Sequence, residues 1–217
     1  MQKLRLILIS ALAFAAACDK APAPKPPAPI ESTSAPSAPA VPEVPATPGV
    51  DPSKWKTSTS ADDPTVVEVA GLRAPKPASW VWTKPSMQFR TLQYVVAGEV
   101  DSTKSADLII SVFVAGDGGP IDANILRWKG QFRQGDAAPE PKLADKEVGP
   151  LKVKFVELEG DYLAMGAPAA KQGFSQIGAI VQASGRNVFF RLIGPKDTVE
   201  ANRADFMKMI DGLMPAD

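Results

Sequence analysis

Residues 107–132, DLIISVFVAGDGGPIDANILRWKGQF, restrict the fold more than any other stretch of the chain. Residues 108–114 are a nearly unbroken apolar and β-branched run, the pattern of a strand covered on both faces in the middle of a sheet. Further on, Ile121, Ile125, Trp128 and Phe132 recur at spacings of four, three and four. They share one stripe of a helix, with Asp122, Asn124 and Arg127 turned away from it. A helix this short does not stand alone in water, so the stripe has to pack on the sheet. Between strand and helix lies Gly116-Asp117-Gly118-Gly119, placed as phosphate-binding loops are. Neither known phosphate pattern follows, and Pro120 removes one of the amide donors an anion would use. Pro120 instead suits the first helical position with Gly119 as cap. The turn reads as structural, with an anion site as the alternative. Asp117 and Asp122 supply fewer oxygens than a calcium site collects.

The rest of the folded part arranges itself around that unit. Residues 65–72 alternate weakly and read as a first strand, and Pro75 and Pro77 then break the chain before Trp80-Val81-Trp82. Trp80 and Trp82 share one face of an extended segment, as a lid over one end of the core or as an aromatic platform for a ligand. Residues 87–96 read as a long strand. Residues 143–148 and 151–159 flank Gly149-Pro150 as a hairpin. Residues 161–175 form the longest stretch without a pattern and carry Tyr162, Met165, Lys171 and Phe174. That mix of aromatic anchors, a soft thioether and one cation suits contact with a partner or ligand. The alternative is a loop that wraps the sheet edge and buries the same side chains. Residues 176–183 and 187–193 make a final hairpin through Ser184-Gly185-Arg186. Asp197 with Glu200 has the spacing of a capping box, opening a helix whose Val199, Phe206, Ile210 and Leu213 share one face. The expected fold is α+β over residues 62–217: an antiparallel sheet of about six to seven strands with two main helices packed on it.

The N-terminal part has a different character. Lys3 and Arg5 precede a short apolar run ending in small residues, which makes residues 1–17 an expected signal peptide rather than a membrane span. Cys18, the only cysteine, follows Phe14-Ala15-Ala16-Ala17. This resembles the lipobox of bacterial lipoproteins, in which the thiol is acylated. Ala15 stands where such sites usually carry Leu, so the same residues also read as an Ala-x-Ala site for ordinary secretory cleavage. Residues 18–61 are mostly Pro, Ala and Ser, too poor in apolar side chains to fold, and read as a disordered tether. The expected address is the cell envelope, with the domain facing the periplasm or exterior on a lipid anchored at Cys18.

The closing strand VFFRLIGP and the helix end FMKMIDGLM resemble the PsbP-like or DcrB-like sandwich, an antiparallel sheet with helices packed on it. GGPIDANILRW, IGAIV and FFRLIGP also resemble a group of uncharacterised bacterial lipoproteins. The likeness covers about residues 65–214. It implies a fold and assigns no catalytic residue.

What the composition removes is chemistry. With no histidine in the chain, the usual general base, the usual partner of a nucleophilic serine and the commonest metal ligand are all missing. No cofactor and no metal are expected. Lys and Arg total 24 against 24 Asp and Glu, so no long-range field recruits nucleic acid. Three readings follow. The first is a non-catalytic module that binds an envelope protein or cell-wall partner. The second is a carrier of a small apolar ligand in a cavity between sheet and helices, lined by Trp80, Trp82 and Phe174. The third is a carboxylate-only hydrolase drawing on Asp117, Asp122 or Asp161.

Overall fold

In the computed structural model, residue 53 and residues 55–98, 101, 104–114 and 117–216 are described. The expected signal peptide, Cys18 and most of the expected tether lie outside the described residues. The described residues form an α+β fold of two antiparallel sheets, of eight and three strands, with three helices. The chain runs β1 (Val66–Val69), β2 (Leu72–Pro75), β3 (Val81–Thr83), β4 (Leu92–Val96), β5 (Ala106–Val114) and α1 (Ile121–Lys129). It continues with β6 (Phe132–Arg133), β7 (Lys142–Val148), β8 (Leu151–Tyr162), β9 (Lys171–Ala183), β10 (Arg186–Pro195), α2 (Lys196–Ala201), α3 (Arg203–Asp211) and β11 (Met214–Pro215). The large sheet is ordered β3-β4-β5-β10-β9-β8-β6, with β7 also paired to β8, and the small one β1-β2-β11.

As its composition requires, β5 lies inside the large sheet, between β4 and β10. Strand alternation then sends side chains to two faces. Leu108 and Ile110 of β5, Val188, Phe190 and Leu192 of β10, and Ile177, Ala179 and Val181 of β9 point to one face. There they meet Val199 of α2, Phe206, Met209 and Ile210 of α3, and the inner side chains of the small sheet. Ile109, Phe189, Ile193, Ile180, Val156 and Leu158 point to the opposite face, which Ile125 and Trp128 of α1 cover in part.

Several elements depart from the sequence reading. The single strand expected over residues 65–72 folds back as the β1–β2 hairpin, turning at Ala70 (φ 50°) and Gly71 (φ 66°). The strand expected from residue 87 starts at Leu92. Phe132, expected on the helical stripe, is fully buried but belongs to β6, because α1 stops at Lys129 before Gly130. Asn124, expected to face away, is also buried. The patternless stretch 161–175 shrinks to residues 163–170, since β8 and β9 continue into it with a register shift near Gly160. The terminal helix is two helices that meet at Asn202, and no side chain caps α2, which starts directly after Pro195. Asn202 is spent elsewhere: its Nδ2 donates to the Thr198 carbonyl at 2.9 Å and its Oδ1 accepts from Trp80 Nε1 at 3.1 Å. The four apolar residues read from the sequence, Val199, Phe206, Ile210 and Leu213, are all buried as expected.

The folded part also takes in residues that composition assigns to the tether. Trp55 packs against the larger core with the Arg186 guanidinium 4.5 Å from its ring centroid. Ser58 is buried and exchanges two hydrogen bonds with Glu68, its amide donating to the carbonyl at 2.9 Å and its Oγ accepting from the amide at 2.8 Å.

Candidate functional site

Helix α1 is short, and it leaves part of its sheet face open. The uncovered area is a groove of about 430 Å³. Phe189 and Arg191 of β10 and Ile109, Ser111 and Phe113 of β5 form its floor, and Trp128, Arg127 and Gln131 form its helix-side wall. Residues 87–90, between β3 and β4, and residues 162–165, at the end of β8, close the two sides.

Two glycines make this surface. A Cβ on Gly178 of β9 would lie 2.6 Å from Trp128 Cζ3, so the bare backbone is what lets the indole rest on the sheet. Trp128 then meets Phe189 edge to face, with ring centroids 5.7 Å apart. Gly118 (φ 77°) lies against the Phe113 ring, where a Cβ would come within 2.5 Å. The turn before α1 is held by Asn124, whose Nδ2 donates to the carbonyls of Gly118 at 2.8 Å and Pro120 at 2.9 Å. Those bonds assign the glycine turn a structural part, as expected, and they account for the burial of Asn124.

Large apolar side chains stand exposed at the mouth: Met87 at 46%, Phe89 at 68% and Met165 at 73%. Phe89 adopts φ 68°, a left-handed conformation costly for a residue with a Cβ. Its ring stacks on Phe113 with centroids 6.4 Å apart. Strain of this kind gathers at binding sites, where the surrounding structure holds a side chain against its own preference.

The polar groups of the groove are three arginines. Arg191 donates from Nε to Gln176 Oε1 at 2.9 Å and from Nη2 to Gln131 Oε1 at 2.9 Å, and its guanidinium stands 4.8 Å from the Trp128 ring centroid. Burial pulls Arg191 down to about 10; the Tyr162 side chain opposes that, and Arg127 and Arg90 add to it as like charges. Arg127 donates to Asn124 Oδ1. Arg90 donates to Gln93 Oε1 at 2.9 Å and to Met87 Sδ at 3.3 Å. The acceptors of all three are neutral. Among the described residues that line the groove none is acidic, and none of the three arginines is in an ion pair among the described residues. The nearest carboxylate in the hydrogen-bond chain, Asp107, is one step removed, accepting from Gln93 Nε2 at 3.2 Å. Gln176 is buried, and its Nε2 has no partner among the described residues.

The sequence-named residues divide between the two faces. Tyr162 and Met165 line the groove. Phe174 stacks on Tyr162 at 6.0 Å from behind, and the Lys171 ammonium lies 5.5 Å from the Phe174 ring centroid. Trp80 and Trp82 are on the opposite face, where they line a smaller cavity of about 170 Å³ with Ser58, Lys76 and Tyr94. The expected cavity shared by Trp80, Trp82 and Phe174 is therefore not formed, because the eight-stranded sheet stands between them. Trp80 is fully buried. Lys76 beside it donates to the carbonyls of Pro64, Pro77 and Trp80, and burial pushes the Tyr94 hydroxyl up to about 12. Of the acids weighed as catalytic, Asp117 and Asp122 are exposed and Asp161 is half-buried in β8. The sequence reading missed Phe89, Phe113, Phe189 and the arginines. Alternation along β10 puts Phe189, Arg191 and Ile193 on one face, which was the available signal.

The sequence matches no family model and no curated protein. Among solved structures, the chain is similar to the cyanobacterial PsbP of Synechocystis, with 9% identity, a TM-score of 0.45 and coverage of 74% of this chain and 98% of that one. It is similar to a Pseudomonas aeruginosa protein of unknown function, with 10% identity, a TM-score of 0.40 and coverage of 64% and 98%. A Bacteroides thetaiotaomicron protein matches at 11% identity and a TM-score of 0.39, over 68% of this chain and 46% of that one. These are likenesses of fold alone.

Proposed function

We propose that the domain is a non-catalytic binding module, exported and tethered to the envelope through a lipid on Cys18, and that it takes a small amphiphilic ligand in the groove beside α1. The observation that supports this most is the groove itself: about 430 Å³ of aromatic-lined space, within the range of small-ligand pockets. A few polar groups stand among apolar walls, the usual composition of a site that binds and orients. A second reading, a protein partner seated over the same mouth, is favoured by the exposed Met87, Phe89 and Met165 at its rim.

Titration with the neutral fluorescent probe phenylnaphthylamine tests the groove. Saturable binding at one site per chain is expected, with a loss of about tenfold or more in Phe113→Ala. Absence of saturable binding, or binding that Phe113→Ala leaves untouched, removes the small-ligand reading. The tether is tested by fractionation: Cys18→Ser moves the protein from the membrane to the soluble fraction, and a variant that stays on the membrane overturns the lipid anchor.

A further inference from the structure

We infer that the ligand of this groove is an anion: an amphiphile with a carboxylate head, held by Arg90, Arg127 and Arg191, and an apolar body lying along Phe113, Phe189 and Trp128. The inference rests on the small-ligand reading above and deepens it by assigning the chemistry of the head group.

Three guanidiniums converge on one apolar groove, close enough that Arg127 and Arg90 act on Arg191 as like charges. A folded domain ordinarily offsets such a cluster with carboxylates. This chain has as many acids as bases and uses them elsewhere: Arg203 is gripped by Glu157 and Glu200, Lys154 by Asp145, and Lys196 by Glu159. In the groove each arginine donates instead to a neutral acceptor, on Gln93, Asn124, Gln131 or Gln176. Neutral acceptors fix the orientation of a guanidinium without cancelling its charge. Donors are therefore positioned and, among the described residues that line the groove, no counter-charge stands beside them.

A carboxylate head suits the site because the guanidinium fork matches its two oxygens, as it also matches those of a phosphate. The body is apolar because the walls are: Trp128 and Phe189 are buried beneath the groove, and Met87, Phe89 and Met165 stand around its mouth. Methionine side chains there can follow the shape of the occupant. Arg127 is exposed on α1 while Arg191 sits deeper on β10, so the head group is drawn in from the solvent side.

Calorimetric titration of the full chain with dodecanoate, dodecanol and dodecyltrimethylammonium tests the assignment, in the natural protein and in Arg127→Gln and Arg90→Gln. The expected result is that dodecanoate binds at least about tenfold more tightly than dodecanol, that the cationic amphiphile binds more weakly than either, and that each glutamine variant weakens dodecanoate about tenfold more than it weakens dodecanol. A tenfold change corresponds to about 1.4 kcal/mol, the low end of a hydrogen bond to a charged group. Equal affinity for dodecanoate and dodecanol overturns the anion assignment and leaves the small-ligand groove standing. Binding of none of the three overturns both. Because Arg127 is exposed, its variant retains the fold, and an unchanged melting temperature separates lost recognition from lost structure.

Discussion

The two faces of the eight-stranded sheet are built from the same strands by the same alternation, yet they end in different states. One face is sealed: α2, α3 and the small sheet meet Leu108, Ile110, Phe190 and Leu192, and the contact is almost wholly apolar. The other carries Phe189 and Arg191 on the same strand that sends Phe190 and Leu192 to the sealed side. Only one short helix covers it. A sheet face keeps an open groove when its cover is shorter than the face, and here the uncovered positions include fixed charges. Burial is nearly complete on the first face and incomplete on the second, where the proposed ligand is placed.

The largest effects separate the faces through their biggest buried side chains. Phe190→Ala on the sealed side and Trp128→Ala on the open side should each cost about 3–5 kcal/mol in urea unfolding. Only Trp128→Ala should also change the affinity of the remaining folded protein for phenylnaphthylamine. A cost below about 1 kcal/mol for Trp128→Ala means that α1 does not pack on the sheet and breaks the comparison.

Next in size is Gly178→Ala, which places a methyl 2.6 Å from Trp128 Cζ3 and should cost about 1–3 kcal/mol by overpacking. Indole displacement should appear as a shift in tryptophan emission, and an unshifted spectrum at unchanged stability argues against the seating described here. Phe89→Gly tests the rim. Glycine accepts φ 68° without strain, so stability should hold or rise by up to about 1 kcal/mol while probe affinity falls. A loss of stability would show that Phe89 is part of the core and not of the mouth.

The smallest effect lies at the edge of the sealed face, on the segment before β1 that lines the smaller cavity. Thr59, through its amide and its hydroxyl, and Lys56 hold Asp62 at about 2, below its ordinary 3.8. A carboxylate lowered in the folded state contributes stability above its unfolded pKa and loses it as pH falls through the folded value. Hydrogen exchange at the Ser58 amide should therefore speed up between about pH 4 and pH 2 relative to Asp62→Asn. An identical pH profile in that variant removes Asp62 as the cause.

The sealed face was legible in the sequence and the open one only in part, through the stripe Ile121, Ile125, Trp128 and through Tyr162 and Met165, for reasons that particular residues make plain. The run at residues 108–114 is nearly unbroken, as burial on both faces writes it, and the stripe Val199, Phe206, Ile210, Leu213 repeats with the period of a helix, as burial on one side writes it. The groove as a whole follows no single period, although its floor alternates along β5 and β10. It takes Phe89 from a turn, Phe113 from a strand end, Arg127 from an exposed helix position and Arg191 from β10, and only the order of strands brings them together. Trp80 and Trp82 show the converse. Their spacing is conspicuous, but β3 faces the sealed side, and the pair serves the core. Phe132 carried the right period and the wrong element, because Gly130 ends α1 one turn early. Asn124 looked like a solvent residue because nothing in a sequence marks a side chain that three turn carbonyls, those of Gly118, Gly119 and Pro120, will claim.

The pairing of β5 with β10 sets Leu108 opposite Leu192 and Ile110 opposite Phe190, neighbours in the sheet that the chain reaches far apart in time. Contacts this distant form late, since the closure of the intervening segment costs entropy before the pairing repays it. The strand that closes the sheet also supplies Phe189 and Arg191 to the groove. As the chain emerges residue by residue, every earlier element can exist without a site, and the site is completed with nearly the last strand. If the proposed ligand binds in this groove, binding is expected only of the finished molecule, and a product cut short before residue 186 should bind no probe.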